Sequence, residues 1–185
     1  MANIRDVGQY IVELVPNVDK MKFYKLCYFS QGWSLAWTGR PLFDEPLEAW
    51  RKGPVPRTLW QSESYTFSQV AGGDSASLTA RAREIIYRVV EFYKNYDSTK
   101  LSYMSHKKAW KEAREGVSDI ARSQEILSLT TIREEFTDLL HSGAPVPVAP
   151  PHVFIPENFS VNTMLAAAEE VEQVWGGALS LLADR

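Results

Sequence analysis

The chain has 185 residues, 45% hydrophobic and 23% charged, with a formal net charge of −3. That composition suits one globular domain with an appendage and excludes a disordered chain. A single cysteine, Cys27, leaves no internal disulfide, no apolar run reaches the roughly 18 residues of a membrane span, and the small negative charge weighs against a protein built to hold nucleic-acid phosphates.

The first residues, Met1-Ala2-Asn3-Ile4-Arg5-Asp6, have no basic stretch followed by an apolar one, so no secretory leader and a cytoplasmic location are expected. Ile4, Val7, Ile11 and Leu14 then recur at helical spacing and predict a first helix stopped by Pro16-Asn17. Asp19 is a candidate cap for a second helix from Lys20 to about Thr38, with Gly39 as its left-handed exit. This helix is apolar on more than one side (Phe23, Tyr24, Leu26, Cys27, Tyr28, Phe29, Trp33, Leu35, Trp37), which places it at the centre of a core.

Pro41 to Pro56 breaks the helical pattern with prolines at 41, 46, 54 and 56. Leu47–Arg51 reads as a short strand, and Gly53-Pro54-Val55-Pro56 as a turn. Ala71-Gly72-Gly73-Asp74-Ser75 reads as a mobile loop. A helix is predicted over Ala80–Tyr96 with a Thr79 cap, and shorter ones around Leu101–His106 and Lys108–Arg114. Thr131-Ile132-Arg133-Glu134 reads as a capping box opening a last helix of the body, ending near His141. Four prolines between Ser142 and Pro151, and a fifth at Pro156, form a semi-rigid spacer. Beyond it, Met164, Leu165, Ala168, Val171, Trp175, Ala178, Leu179 and Leu182 make an apolar stripe opposite Glu169, Glu170 and Glu172. The expected fold is mainly α: a compact helical domain over 1–142 with a small β element around 41–56, a proline-rich spacer over 143–159, and an acidic amphipathic C-terminal helix over 160–185. Residues 1–140 carry 19 basic and 18 acidic side chains, whereas residues 141–185 carry one basic and five acidic, so a near-neutral body bears an acidic tail.

A catalytic set is not evident. The histidines, His106, His141 and His152, are scattered and the one cysteine sits in the most apolar helix, so neither a zinc site nor an activated thiol is expected. No phosphate loop, dinucleotide fingerprint or nucleophile elbow occurs, and no cofactor is expected. Asp44, Glu45 and Glu48 leave a paired-carboxylate hydrolase open, but acidic residues near a turn are more simply capping or solvated groups. Arg51, Lys52 and Arg57 form one basic cluster; Lys100, Lys107, Lys108, Lys111 and Arg114, with Tyr103 and Trp110, form a second. Glu112, Glu115 and Asp119 dilute the second, so a solvated helix face explains it better than a single-strand binder does.

Residues 21–33, Met-Lys-Phe-Tyr-Lys-Leu-Cys-Tyr-Phe-Ser-Gln-Gly-Trp, resemble the opening helix of the SocA-like Panacea domain. Thr38-Gly39-Arg40-Pro41-Leu42-Phe43 and Leu47-Glu48-Ala49-Trp50-Arg51-Lys52-Gly53-Pro54-Val55 are similar to that family's Gly-x-Pro-Leu and Glu-Ala-x-x-x-Gly-Pro-Val segments. Leu101–His106 with Trp110–Arg114 is similar to its histidine-then-tryptophan segment, with Ala109 where the family has proline. Ile126 and Ile132 fall where the family's last isoleucine-marked helix begins. The resemblance covers about residues 5–140, and the order and spacing of the motifs carry it. It implies a non-enzymatic antitoxin that binds a cognate protein toxin. A few members act instead as adaptors delivering the toxin to a protease; a nucleic-acid-binding regulator and a small-molecule enzyme are the weaker alternatives.

Within these motifs Lys25, Leu26, Trp33, Gly53, Pro54, Val55 and Trp110 are read as structural. Gly53 permits backbone angles barred to other residues and Pro54 fixes the chain after it. Candidate partner-binding residues are Glu48, Arg51, Lys52 and His106 on the body, and Met164, Leu165, Val171, Trp175 and Leu179 on the C-terminal helix. Glu48 and His106 form either a buried hydrogen-bonded pair or cap, the stronger reading, or a recognition pocket. The C-terminal stripe docks either on its own domain or on a toxin or second subunit. A homo-oligomer stays open.

Overall fold

A computed structural model describes residues 2–61, 65–66, 69–118 and 120–151. The expected C-terminal helix over 160–185, with candidates Met164, Leu165, Val171, Trp175 and Leu179, and the later part of the spacer lie outside the described residues. The described residues are mainly helical with two small hairpins. In chain order they are α1 (Ile4–Leu14), α2 (Lys20–Thr38), β1 (Leu47–Trp50), β2 (Gly53–Pro56), α3 (Arg57–Gln61), β3 (Tyr65–Thr66), β4 (Gln69–Val70), a 3-10 turn (Ser75–Ser77), α4 (Ala80–Tyr93), α5 (Ser98–Ser105), α6 (Lys108–Ala113) and α7 (Leu129–His141). Each hairpin pairs its two strands antiparallel.

Helix α2 is the axis of the fold. The Asp19 carboxylate accepts from the Lys22 N–H at its start, and Gly39 leaves it at φ 68°. Every residue from Phe23 to Leu35 is buried, so the other elements cover all of its faces. Phe29 stacks on Tyr93 of α4 at 4.3 Å between centroids, and the Trp33 indole donates to the Tyr93 hydroxyl over 3.1 Å. On another side, Phe136 of α7 packs edge-on against Trp33 and Tyr28. Its ring occupies the space that a side chain at Gly32 would fill. The buried Gln31 amide donates to the Phe43 carbonyl and accepts from the Leu42 and Phe43 N–H groups, which fastens the proline-broken segment to the helix.

Four local expectations change. Gly53–Pro56 is strand β2, and the turn falls one step earlier, at Arg51-Lys52, in the register Trp50↔Gly53 to Leu47↔Pro56. Two prolines are tolerated there because β2 is an edge strand, where a missing N–H leaves no ladder bond unmade. The cap of α7 is Ser128, which accepts from the Thr131 N–H, while the Thr131 hydroxyl donates to Glu112. The helix predicted to reach Tyr96 ends at Tyr93. The 71–75 loop is tied to α1: the Asp74 N–H donates to Asp6 and the Ser75 hydroxyl to Glu13. In the spacer, Val146 packs on the core and Pro147 and Pro150 are buried.

Candidate functional site

The β1–β2 hairpin is held from three directions. From α2, the Lys25 ammonium, 1% exposed, donates to the Pro54 carbonyl over 2.7 Å. From α6, the Trp110 indole donates to the Trp50 carbonyl over 2.8 Å, and just past its end the buried Arg114 donates to the Ala49 carbonyl over 2.9 Å. Arg114 also donates to the carbonyls of Ser118 and Ala121, so it fastens the following loop beside the same strand. It is therefore a structural cation and not a member of a solvated basic face. From the loop itself, the Ala49 N–H donates to Glu125 and the Leu127 N–H to Leu47, making residues 125–127 a third rung beside β1.

Between hairpin and loop lies a groove of about 540 Å³ lined by Trp50, Arg51, Lys52, Val55, Arg57, Trp60, Ile120, Arg122, Ser123 and Gln124. Trp50 and Trp60 meet edge to face at 5.0 Å. Trp60 is 51% exposed and Ile120 is 79% exposed, an uncommon presentation for large apolar side chains side by side. Beneath them Glu48, 5% exposed, accepts from the Trp50 indole over 2.7 Å and from the Arg57 guanidinium over 3.0 Å. One buried carboxylate thus sets the angle of an aromatic wall and of a cation. Arg51, Lys52 and Arg122 are exposed and form no ion pair among the described residues.

Of the expected body residues, Arg51 and Lys52 come together on the groove's rim. Glu48 lies under it, paired with Arg57 and Trp50 and not with His106. His106 sits behind the hairpin, its ring 4.1 Å from that of Trp110, and burial and then the Lys25 charge lower its pKa. Among the second basic cluster, Lys108 pairs with Glu134. Glu45 accepts from the N–H of Ile4 at the start of α1, a capping role. Cys27 is buried, and burial raises its thiol pKa well above the ordinary range. Sequence reasoning missed Trp60, Ile120 and Arg122. The available signal was an apolar residue, Ile120, in a polar segment assigned to no element. Among the described residues, no group of three or more histidine, cysteine or carboxylate side chains could hold a metal, and no helix is long and apolar enough to cross a membrane.

No curated protein and no solved structure matches the chain. Residues 23–111 match the family model described as antitoxin SocA-like, Panacea domain. That span holds nearly all of α2, the β1–β2 hairpin, both groove tryptophans and the start of α6, while the loop bearing Ile120 and Arg122 follows it. From the central helix to the histidine-then-tryptophan segment, the chain is similar to the antitoxin SocA-like Panacea domain.

Proposed function

We propose that the protein is an antitoxin that neutralises a cognate protein toxin by forming a direct complex with it, without turnover, in the cytoplasm. The Panacea match supports the antitoxin class. The observation that carries the binding reading is the groove itself: exposed tryptophan and isoleucine beside three cations with no ion pair among the described residues. Arg51 and Lys52 belong to the contact directly, Glu48 organises it from below, and His106 supports the hairpin. Lys25, Leu26, Trp33, Gly53, Pro54, Val55 and Trp110 hold the scaffold. The acidic segment over 160–185 adds a second contact through Trp175 and its apolar stripe.

Co-expression with the protein encoded beside it tests this reading. The neighbour alone should arrest growth, the pair should grow, and the two proteins should copurify. A neighbour that is harmless alone, or that stays toxic beside this protein, refutes it.

A further inference from the structure

We infer that the groove between the β1–β2 hairpin and the 120–124 loop receives an acidic peptide segment of the toxin that carries a large apolar anchor. The inference rests on the antitoxin reading for the partner's identity, and on the groove alone for its chemistry. A volume of about 540 Å³ lies within the range of ligand pockets, roughly 300–1,000 Å³. Its apolar wall, Trp50, Val55, Trp60 and Ile120, suits an aromatic or long aliphatic side chain. The cations stand on both sides of that wall: Arg51 and Lys52 on the hairpin turn, Arg57 at the start of α3, Arg122 on the opposite loop. Glu48 meets Arg57, while Arg51, Lys52 and Arg122 form no ion pair among the described residues. Two guanidinium forks facing one apolar slot match carboxylates on either side of an anchor residue, since arginine binds a carboxylate through two parallel N–H donors.

A nucleic-acid strand fits less well. A polyanion needs a basic track along its length, whereas exposed Glu112, Glu115 and Glu125 lie on the segments adjoining the groove. The chain's net charge of −3 points the same way.

The probe is a twelve-residue peptide with a central Trp-Leu pair flanked by Asp and Glu, titrated calorimetrically into the full chain. Its controls are the same peptide with Lys for each acid, and a twelve-nucleotide oligothymidylate. The acidic peptide should bind about tenfold or more tighter than the basic one and weaken as salt rises. The double variant Arg51→Glu/Arg122→Glu and, separately, Trp60→Ala should each lose about tenfold or more, with unchanged melting curves because these side chains are exposed. Equal binding of the two peptides, binding that survives in both variants, or stronger binding of the oligonucleotide overturns the inference. Co-expression separates the two readings. If the double variant neutralises as well as the parent, the groove assignment falls and the antitoxin reading stands. If the parent fails to neutralise while the acidic peptide binds as described, the antitoxin reading falls and the groove stands.

Discussion

Lys25 donates its ammonium to the Pro54 carbonyl over 2.7 Å from a position 1% exposed, with His106 nearby and no carboxylate paired to it among the described residues. The bond joins the Lys-Leu motif of α2 to the Gly-Pro-Val motif of β2. Burial lowers the lysine pKa from 10.5 to about 7. Holding an ammonium there opposes folding, at about 1.4 kcal/mol for each unit of depression.

The first prediction follows by linkage. Between pH 7 and about 9 the unfolded lysine binds a proton that the folded one has partly released, so stability rises with pH across that window; above it the unfolded Cys27 thiol loses a proton that the buried one keeps, which offsets the slope. Below pH 7 both forms are protonated and the lysine contributes no slope. Above pH 10 the buried tyrosines, with Tyr24 raised to about 12, make stability fall again. Urea titrations at pH 7, 8 and 9 should show the rise, and Lys25→Met should flatten it. A slope that survives in Lys25→Met would assign it to another group.

Gly53 stands beside the same lysine at φ 95°, and a Cβ there would run into the Ser105 hydroxyl and the Lys25 ammonium. Gly53→Val therefore combines a left-handed backbone, costing about 1–2 kcal/mol, with a steric overlap at the buried start of β2. The melting temperature should fall by several degrees. Neutralisation lost with an unchanged melting curve would mark Gly53 as a direct contact instead.

The core makes a similar demand at Gly32, where the Phe136 ring fills the place of a side chain. Gly32→Ala should cost about 1–3 kcal/mol by overpacking. Phe136→Leu costs stability alone but should relieve part of the Gly32→Ala penalty. A double-mutant cycle with no coupling would show that α7 simply shifts away.

These positions indicate which parts of the fold were legible. Helix α2 could be read to its ends because Asp19 and Gly39 act locally, and its all-round apolar character required burial. The prolines of β2 misled because proline punctuates a chain locally, whereas an edge strand tolerates it for a reason set by the neighbouring strand. Arg114 looked like one more surface cation; its three carbonyl acceptors come from Ala49 and from a loop of no regular structure. The groove's far side was hidden for the same cause: Ile120 and Arg122 face Trp60 only because Arg114 and β1 hold that loop in place.

Glu48 separates positioning from contact. Glu48→Ala strips a buried carboxylate from both the Trp50 indole and Arg57, at a cost of about 1–3 kcal/mol. Glu48→Gln keeps an acceptor for Trp50 and gives up the charge on Arg57. The alanine variant should lose both melting temperature and partner affinity, and the glutamine variant should keep more of each. If Glu48→Ala weakens binding while leaving stability intact, Glu48 touches the partner itself.

The last prediction concerns where the body ends. A cut after Gly143 removes Val146, Pro147 and Pro150, which pack on or within the body, so it should lower the melting temperature by itself. A cut after Pro151 spares them and is the cleaner test of the acidic segment. If Trp175 and its stripe anchor the toxin, that shorter chain should melt as the full chain does. It should nevertheless bind its partner about thirtyfold more weakly, as expected for a lost tryptophan anchor worth about 2 kcal/mol. A melting temperature that falls with the cut after Pro151 would make the segment part of the folded body. Full neutralisation by the chain ending at Pro151 would leave the groove beside Trp60 to carry the contact alone.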